Sequence, residues 1–162
     1  MLQATKLFYN EQTKQIEVHV FGTNMRRRVD EKDYFSRETR YYYIKRREIQ
    51  KLIDTHEAKE ILFTKGEPLI QMDMLDSIIR YLWRKTGIKT IIKTNGTIMP
   101  YCVNYKVSYI VEPWLSSTGK TKDRRLCKDI LKVFRNRPVE WVFNPKTKED
   151  KEEVEVIKKW VK

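Results

Sequence analysis

The chain has 162 residues, and its 34 Lys and Arg against 22 Asp and Glu give a formal net charge of +12. A hydrophobic fraction of 40% argues against a disordered chain, and the absence of any run of 18 apolar residues excludes a membrane-spanning helix. The length fits a single domain, residues 1–162. The N-terminus lacks the pattern of a signal peptide, so we expect a cytoplasmic protein without membrane contact.

Along the first half of the chain, apolar periodicity predicts two strands and two helices. The alternation in 16–22 (IEVHVFG) predicts a strand, and the short apolar run at 60–63 (EILF) predicts a second, buried one. A helix is predicted over 45–56, with Ile49, Leu52, Ile53 and His56 on one face. A second helix is predicted over 72–86, and Gly87 is expected to end it.

The second half continues the same alternation. Strands are predicted over 89–93, 107–113 and 139–145, a helix over 121–135, and a final helix after Thr147 as the N-cap residue. Strands that alternate with helices favour parallel pairing through βαβ crossovers. The sequence therefore predicts an α/β domain of mostly parallel strands.

The cysteines limit the possible metal chemistry. Cys102 and Cys127 lie far apart, and neither belongs to a C-x-x-C pair. A zinc ribbon or a cluster held by three cysteines is therefore excluded within this chain, and we predict no metal site. Each cysteine is expected to be a small buried hydrophobe.

Polar loops follow the predicted strands. Because ligands of parallel sheets bind where strands end, these loops form one candidate site. The candidate ligand-binding residues are Gly66, Glu67, Thr94, Asn95 and Ser116. Two alternatives stay open here: Glu67 pairs with Lys65, Lys93 or an arginine, and Asn95-Gly96 is only a tight turn with positive φ.

Two segments carry the positive charge. Residues 25–47 hold nine basic and four acidic side chains, and residues 114–137 hold eight and two. Arginine suits phosphate and tyrosine can stack on unpaired bases, so we predict contact with RNA or another polyanion. The candidate nucleic-acid-binding residues are Arg26, Arg27, Arg28, Arg37, Arg40, Tyr41, Tyr43, Lys45, Arg46, Arg47, Lys122, Arg124, Arg125 and Lys128. The alternatives are tyrosines packed in the core, a solvated Lys- and Glu-rich surface, an anionic protein or a membrane surface.

Three strand-end motifs resemble a known family. They are KGEPLIQ at 65–71, TNGT at 94–97 and VEPWLSS at 111–117. In this order they resemble the radical S-adenosylmethionine (SAM) superfamily, and within it the 7-carboxy-7-deazaguanine synthases. The resemblance implies an incomplete (β/α) barrel. It also implies that the loop of Gly66 and Glu67 occupies the place that contacts the methionine amino group of SAM.

The loop that holds the iron–sulfur cluster in that family departs from its pattern. Here the segment reads GTNMRRRVDE at 22–31, and the three cysteine positions are Thr23, Arg27 and Asp30. None of them is a soft ligand for iron, and Arg27 is a permanent cation where the family has a thiolate. Lys65 also replaces the first glycine of the SAM loop. We therefore expect no iron–sulfur cluster, poor SAM affinity and no bound cofactor.

Two functional hypotheses follow from this departure. The first is a non-catalytic, pseudoenzyme-like protein that binds RNA in a ribonucleoprotein or ribosome-associated assembly, with further protein partners. The second is an iron-independent enzyme, or a subunit of a nucleoside-modifying (7-deazaguanine-type) complex, which binds SAM or a purine-like ligand at the strand ends. Radical SAM chemistry has no support in either, because no cluster would supply the electron.

Overall fold

The computed structural model describes residues 1–22, 41–101 and 106–162. The strands in this part are β1 (Leu2–Asn10), β2 (Gln15–Val20), β3 (Tyr42–Ile44), β4 (Glu60–Thr64), β5 (Lys89–Thr94), β6 (Val107–Val111) and β7 (Val139–Trp141). The helices are α1 (Arg46–His56), α2 (Met72–Thr86), α3 (Lys122–Arg125), α4 (Lys128–Arg135) and α5 (Lys148–Val161). Short 3-10 turns cover Pro68–Gln71 and Ser116–Thr118.

The seven strands form one mostly parallel sheet in the order β3-β1-β2-β4-β5-β6-β7. The strands from β2 to β7 in that order pair in parallel, whereas β1 pairs antiparallel with both β2 and β3. The prediction of an α/β fold with mostly parallel strands is confirmed. The sheet is open, with β3 and β7 at its two edges, and it does not close into a barrel.

The sheet has one apolar face and one mixed face. The register aligns Val18, Phe63, Ile92, Tyr109 and Val139 across the five parallel strands, and the first four are fully buried. This row packs with the apolar stripes of the helices in one core. A row on the opposite face, Glu17, Leu62, Ile91 and Ser108, is only half-buried. The alternation explains why each strand has one side toward the helices.

The predicted helices with strong 3.6-residue periodicity are present. Ile49 and Ile53 of α1 are buried, as are Leu75, Ile78, Ile79 and Leu82 of α2. Gly87 ends α2 in the left-handed conformation that glycine adopts without strain. Thr147 is the N-cap of α5, where its side chain accepts a hydrogen bond from the Asp150 amide.

The structure differs from the sequence-based prediction in three features. First, it contains the strands β1 and β3, which the sequence analysis does not predict. The helix predicted over 121–135 is wrong as a single unit, because Leu126 and Cys127 have extended backbone and separate α3 from α4. Cys127, which is expected to be buried, is only half-buried, and Cys102 lies outside the described residues.

No helix within the described ranges is long and apolar enough to cross a membrane.

Candidate functional site and nucleic-acid interface

Glu67 connects the ends of β4 and β5. Its Oε1 accepts hydrogen bonds from the Leu69 amide at 3.1 Å and from Thr94 Oγ1 at 2.8 Å, and its Oε2 accepts one from the Asn95 amide at 2.9 Å. The side chain is completely buried, and burial raises the pKa of its carboxyl group. The partners are backbone amides and a hydroxyl, so the alternative of a pairing with a cation is not what the structure shows. Lys93 instead pairs with Glu112 at 2.6 Å.

Gly66 lies against the backbone at the end of β2. Its φ is +52°, and a Cβ atom there would overlap the carbonyl oxygens of Val20 and Gly22. The Glu67 amide donates to the Gly22 carbonyl at 2.8 Å, which fixes this contact. Lys65 has a φ of +58°, a left-handed conformation that is unfavourable for a residue with a β-carbon. The loop after β4 is thus anchored to its neighbours on both sides.

The turn after β5 has the conformation expected from its sequence. Gly96 has a φ of +74°, as the Asn-Gly pair predicts, and the Thr97 amide donates to Asn95 Oδ1 at 3.0 Å. A Cβ atom on Gly96 would lie 2.9 Å from both Leu131 Cδ2 and Val111 Cγ1. Glycine is therefore required there both by the backbone angle and by the close packing of α4.

Ser116 belongs to a different group of residues from Glu67, Thr94 and Asn95. Its Oγ donates to Asp150 Oδ1 at 2.7 Å, and its amide donates to Glu153 Oε2 at 2.9 Å. Burial by itself raises the pKa of Asp150, but hydrogen bonds from Ser117, Lys146 and Ser116 hold that pKa well below its ordinary value. Ser116 thus joins the loop after β6 to the first turns of α5.

Arg125 completes this group. The sequence analysis names Ser116 as a ligand-binding residue and Arg125 as a nucleic-acid-binding residue, but it does not predict that the two belong to one group. Only 4% of the residue is exposed, and its guanidinium binds Glu153 through two hydrogen bonds of 2.5 and 2.6 Å. It also donates to the carbonyl oxygens of Trp114 and Lys120. Arg125 therefore has no nitrogen directed at a phosphate outside the protein, and it does not belong to a nucleic-acid-binding surface.

The residues at the sheet edge are placed differently. Tyr41 and Tyr43 are 44% and 51% exposed, and Lys45, Arg46 and Arg47 follow them at the surface at the start of α1. The Tyr41 ring contacts Phe21 at 4.5 Å between centroids, so part of it is anchored. Exposed aromatic rings next to cations are a combination that many proteins use to bind single-stranded nucleic acids. The tyrosine residues are thus not core residues.

The predicted residues fall into groups at opposite sides of the sheet. Lys122, Arg124 and Lys128 are exposed on α3 and α4, which connect β6 to β7, whereas Tyr41 and Tyr43 lie at the β3 edge. Five strand steps of about 4.8 Å separate β3 from β6, or roughly 24 Å along the sheet. Arg26, Arg27, Arg28, Arg37 and Arg40 lie outside the described residues.

The sequence analysis also misses cations on α2. Arg80, Arg84 and Lys85 lie beside Arg46 in a groove between α1 and α2. Their spacing places them on the polar face of the helix, a signal that is present in the sequence but is also typical of ordinary solvation.

The three positions that the resemblance assigns to cluster cysteines hold residues of a different chemistry. Thr23 and Asp30 offer hard oxygen atoms and Arg27 offers none, so this donor set does not fit an iron–sulfur cluster. All three lie outside the described residues. Within residues 1–22, 41–101 and 106–162, no three His, Cys, Asp or Glu side chains are grouped so as to hold a metal ion.

No protein-family model matches this chain, and no curated protein is significantly similar to it in sequence.

Proposed function

We propose that this chain is a non-catalytic RNA-binding protein on a radical SAM-like scaffold that has lost its cluster ligands. The observation that carries the proposal is the β3 edge, where Tyr41 and Tyr43 are exposed beside Lys45 and Arg47. The net charge of +12 adds long-range attraction for a polyanion. A ribonucleoprotein or ribosome-associated assembly is the setting that best suits such a surface.

The topology supports the scaffold part of the proposal. The parallel strands β2, β4, β5, β6 and β7 follow one another in chain order without a reversal. This singly wound order is that of (β/α) barrels, whereas doubly wound sheets reverse their strand order at a switch point. An incomplete, open barrel of the radical SAM type is therefore the fold that we propose for this chain.

Salt-dependent binding tests the RNA part. We expect a fluorescently labelled hairpin RNA with a single-stranded tail to bind, with an affinity that falls steeply between about 50 and 200 mM salt. The double variant Lys45→Gln, Arg47→Gln should bind more weakly and lower the salt slope by roughly one unit for each phosphate that is no longer neutralised. The double variant Lys148→Gln, Lys151→Gln removes the same charge from exposed positions on α5 and serves as the matched control.

The segment outside the described residues has its own test. Replacing Arg26, Arg27 and Arg28 together should lower both the affinity for RNA and the salt slope. Equal binding by this variant and the wild type at every salt concentration would show that the segment is only a solvated surface.

A competition experiment tests whether the partner is an acidic protein. Polyglutamate with the same total charge as the RNA is the competitor that represents such a protein. If it displaces RNA at equal charge concentration, an anionic protein partner replaces RNA in the proposal.

The second candidate is a ligand-binding enzyme or complex subunit. It is favoured by the half-buried row Glu17, Leu62, Ile91 and Ser108, since apolar and polar side chains together could accept a purine-like ring. Calorimetric titration with SAM distinguishes the candidates. We expect no binding tighter than about 10 μM, which corresponds to roughly 7 kcal/mol. Anaerobic reconstitution with iron and sulfide should leave the protein colourless, and uptake of about four irons per chain would refute the pseudoenzyme proposal.

A further inference from the structure

A groove of about 350 Å³ lies between α1 and α2. It is lined by Arg46, Ser77, Arg80, Tyr81, Arg84 and Lys85. A second groove of about 510 Å³ also has Tyr81 in its lining and adds Arg47 and Lys51, together with one carboxylate, Asp54. The two grooves share Tyr81 and form one continuous basic surface, which we call the α1–α2 groove.

The fold places these cations in a line. Ser77, Arg80 or Tyr81, and Arg84 or Lys85 recur every three to four residues, so they lie on one side of α2. The buried stripe Leu75, Ile78, Ile79 and Leu82 occupies the opposite side of that helix. At 1.5 Å per residue, the cations from Arg80 to Lys85 span about 7.5 Å of this side of the helix. That length spans about two backbone charges of one nucleic-acid strand, at roughly 3.4 Å of axis per charge.

Tyr81 orients one of the arginines. The Arg46 guanidinium lies over the Tyr81 ring, with Cζ 4.4 Å from the ring centroid, and the Tyr81 hydroxyl donates to Gln50 Oε1 at 2.5 Å. A guanidinium that lies over an aromatic ring still has its N–H groups pointing outward in its own plane. These groups can therefore donate hydrogen bonds to an oxyanion. The covered face of Tyr81 is not open to a base, so this groove is suited to phosphate contacts rather than to stacking.

Most of the positive charge in the groove has no ion-pair partner within the described residues. Arg80 pairs with Asp76 at 2.7 Å, but Arg46, Arg84 and Lys85 form no ion pair in that part of the chain. Three cations converging on one concave surface repel one another, and a bound anion relieves that repulsion. Isolated cations on a convex helix surface would be adequately solvated, so the concave grouping is the feature that indicates a ligand.

We propose that the α1–α2 groove binds the phosphate backbone of RNA and continues the sheet-edge surface of Tyr41, Tyr43 and Lys45. The inference rests on the proposed function and deepens it, because it assigns stacking to the sheet edge and sequence-independent phosphate binding to the groove. Arg46 is the first residue of α1 and lies two positions after Ile44, the last residue of β3, so the two surfaces are adjacent in the fold.

The test compares two charge-matched double variants in the whole protein. Arg84→Gln, Lys85→Gln removes two groove cations, and Lys148→Gln, Lys151→Gln removes two exposed cations on α5. With the labelled hairpin RNA at about 0.1 M salt, the groove variant should bind on the order of 10- to 100-fold more weakly and reduce the salt slope by about two units. The α5 variant should change affinity by less than about threefold. Circular dichroism should be the same for both, since all four side chains are exposed.

The remaining outcomes separate the two proposals. If the wild type binds RNA and the groove variant binds it equally well, the groove inference fails while RNA binding at the sheet edge stands. If the wild type binds no RNA at low salt, both proposals fail. Titration with inorganic phosphate and with adenosine 5′-monophosphate provides the last arm. If either binds the wild type as tightly as RNA and loses affinity in the groove variant, the groove is a site for a single small phosphate ligand and the backbone assignment is overturned.

Discussion

The Arg125 guanidinium and the Glu153 carboxylate form a bidentate ion pair, with Nη1 2.6 Å from Oε2 and Nη2 2.5 Å from Oε1. Only 4% of the arginine side chain and 10% of the glutamate side chain are exposed. The pair connects α3 to α5 and, through the Ser116 amide, to the loop after β6. Because both charges are shielded from water, each depends on the other for its hydrogen bonds.

Replacing Arg125 should therefore damage stability rather than RNA binding. Arg125→Ala leaves Glu153 buried without its partner, and we expect a loss of about 3–5 kcal/mol in the free energy of unfolding. Arg124→Ala, one residue earlier and exposed, should change that free energy by less than about 0.5 kcal/mol. Urea unfolding followed by circular dichroism measures both. Equal stability of the two variants would contradict the importance of the ion pair.

Asp150 should make the protein sensitive to acid. Its pKa is lowered in the folded state, so the folded protein binds a proton less readily than the unfolded chain. The resulting stabilisation is present above the ordinary aspartate pKa of about 3.9 and is lost as pH falls below it. Asp150→Asn should cost about 2–3 kcal/mol near pH 7, because hydrogen bonds to a charged acceptor are removed. The cost should shrink near pH 3, and an equal cost at both pH values would refute the assignment.

The helices could be predicted because their stability comes from one continuous apolar stripe. α1 and α2 bury the residues that periodicity selects, and the caps at Gly87 and Thr147 are local signals. β1 is missed because its register shifts between Ala4 and Lys6, and this irregularity breaks the alternation on which strand prediction depends. β3 has only three residues, two of them exposed tyrosines, so it has almost no apolar pattern.

The site was only partly predictable for a related reason. The sequence places Glu67 and the Thr94–Asn95 turn at strand ends, but their mutual hydrogen bonds depend on the pairing of β4 with β5. The break at Leu126 and Cys127 has no proline or glycine to mark it. It coincides with the bonds that hold Arg125 against Glu153 and Trp114, which are contacts between residues distant in sequence.

Substituting Gly96 and Gly119 by alanine distinguishes the free-energy cost of a positive φ from that of steric crowding. Gly96 and Gly119 have φ of +74° and +71°, but a Cβ atom on Gly119 would meet nothing within 4 Å, whereas one on Gly96 would crowd Leu131 and Val111. Gly119→Ala should therefore cost about 1 kcal/mol for the backbone angle alone. Gly96→Ala should cost about 2–4 kcal/mol, because overpacking adds to it. Thermal unfolding of the two variants gives the difference directly, and equal costs would show that the turn moves away from α4 freely.

Introducing glycine at position 65 should stabilise the protein. Lys65 is exposed and has a φ of +58°, which costs a residue with a β-carbon roughly 1 kcal/mol. Lys65→Gly removes that cost and should raise the free energy of unfolding by about 0.5–1 kcal/mol. Lys59→Gly is the control, since Lys59 is exposed in a loop and its φ is not positive. That change should be neutral or destabilising, because it only adds freedom to the unfolded chain. A destabilised Lys65→Gly variant would mean that the lysine side chain makes a favourable contact.

The tyrosines at the sheet edge should contribute to RNA binding through stacking. Tyr43 is 51% exposed and its hydroxyl is 3.3 Å from Gln3 Nε2, so removing the ring should lower stability by no more than about 1 kcal/mol. If a base stacks on the ring, Tyr43→Ala should weaken binding of a single-stranded RNA by about 1–3 kcal/mol and leave the salt slope unchanged. The salt slope counts phosphate contacts, so it distinguishes the contribution of base stacking from that of charge neutralisation.

Tyr101→Ala is the matched control, because Tyr101 is 81% exposed in the loop after β5, away from the β3 edge. Tyr43→Phe should retain most of the affinity, since the ring face is kept. Loss of affinity in Tyr43→Phe as large as in Tyr43→Ala would assign the effect to the hydroxyl group, and equal binding by all three variants would remove the sheet edge from the interface.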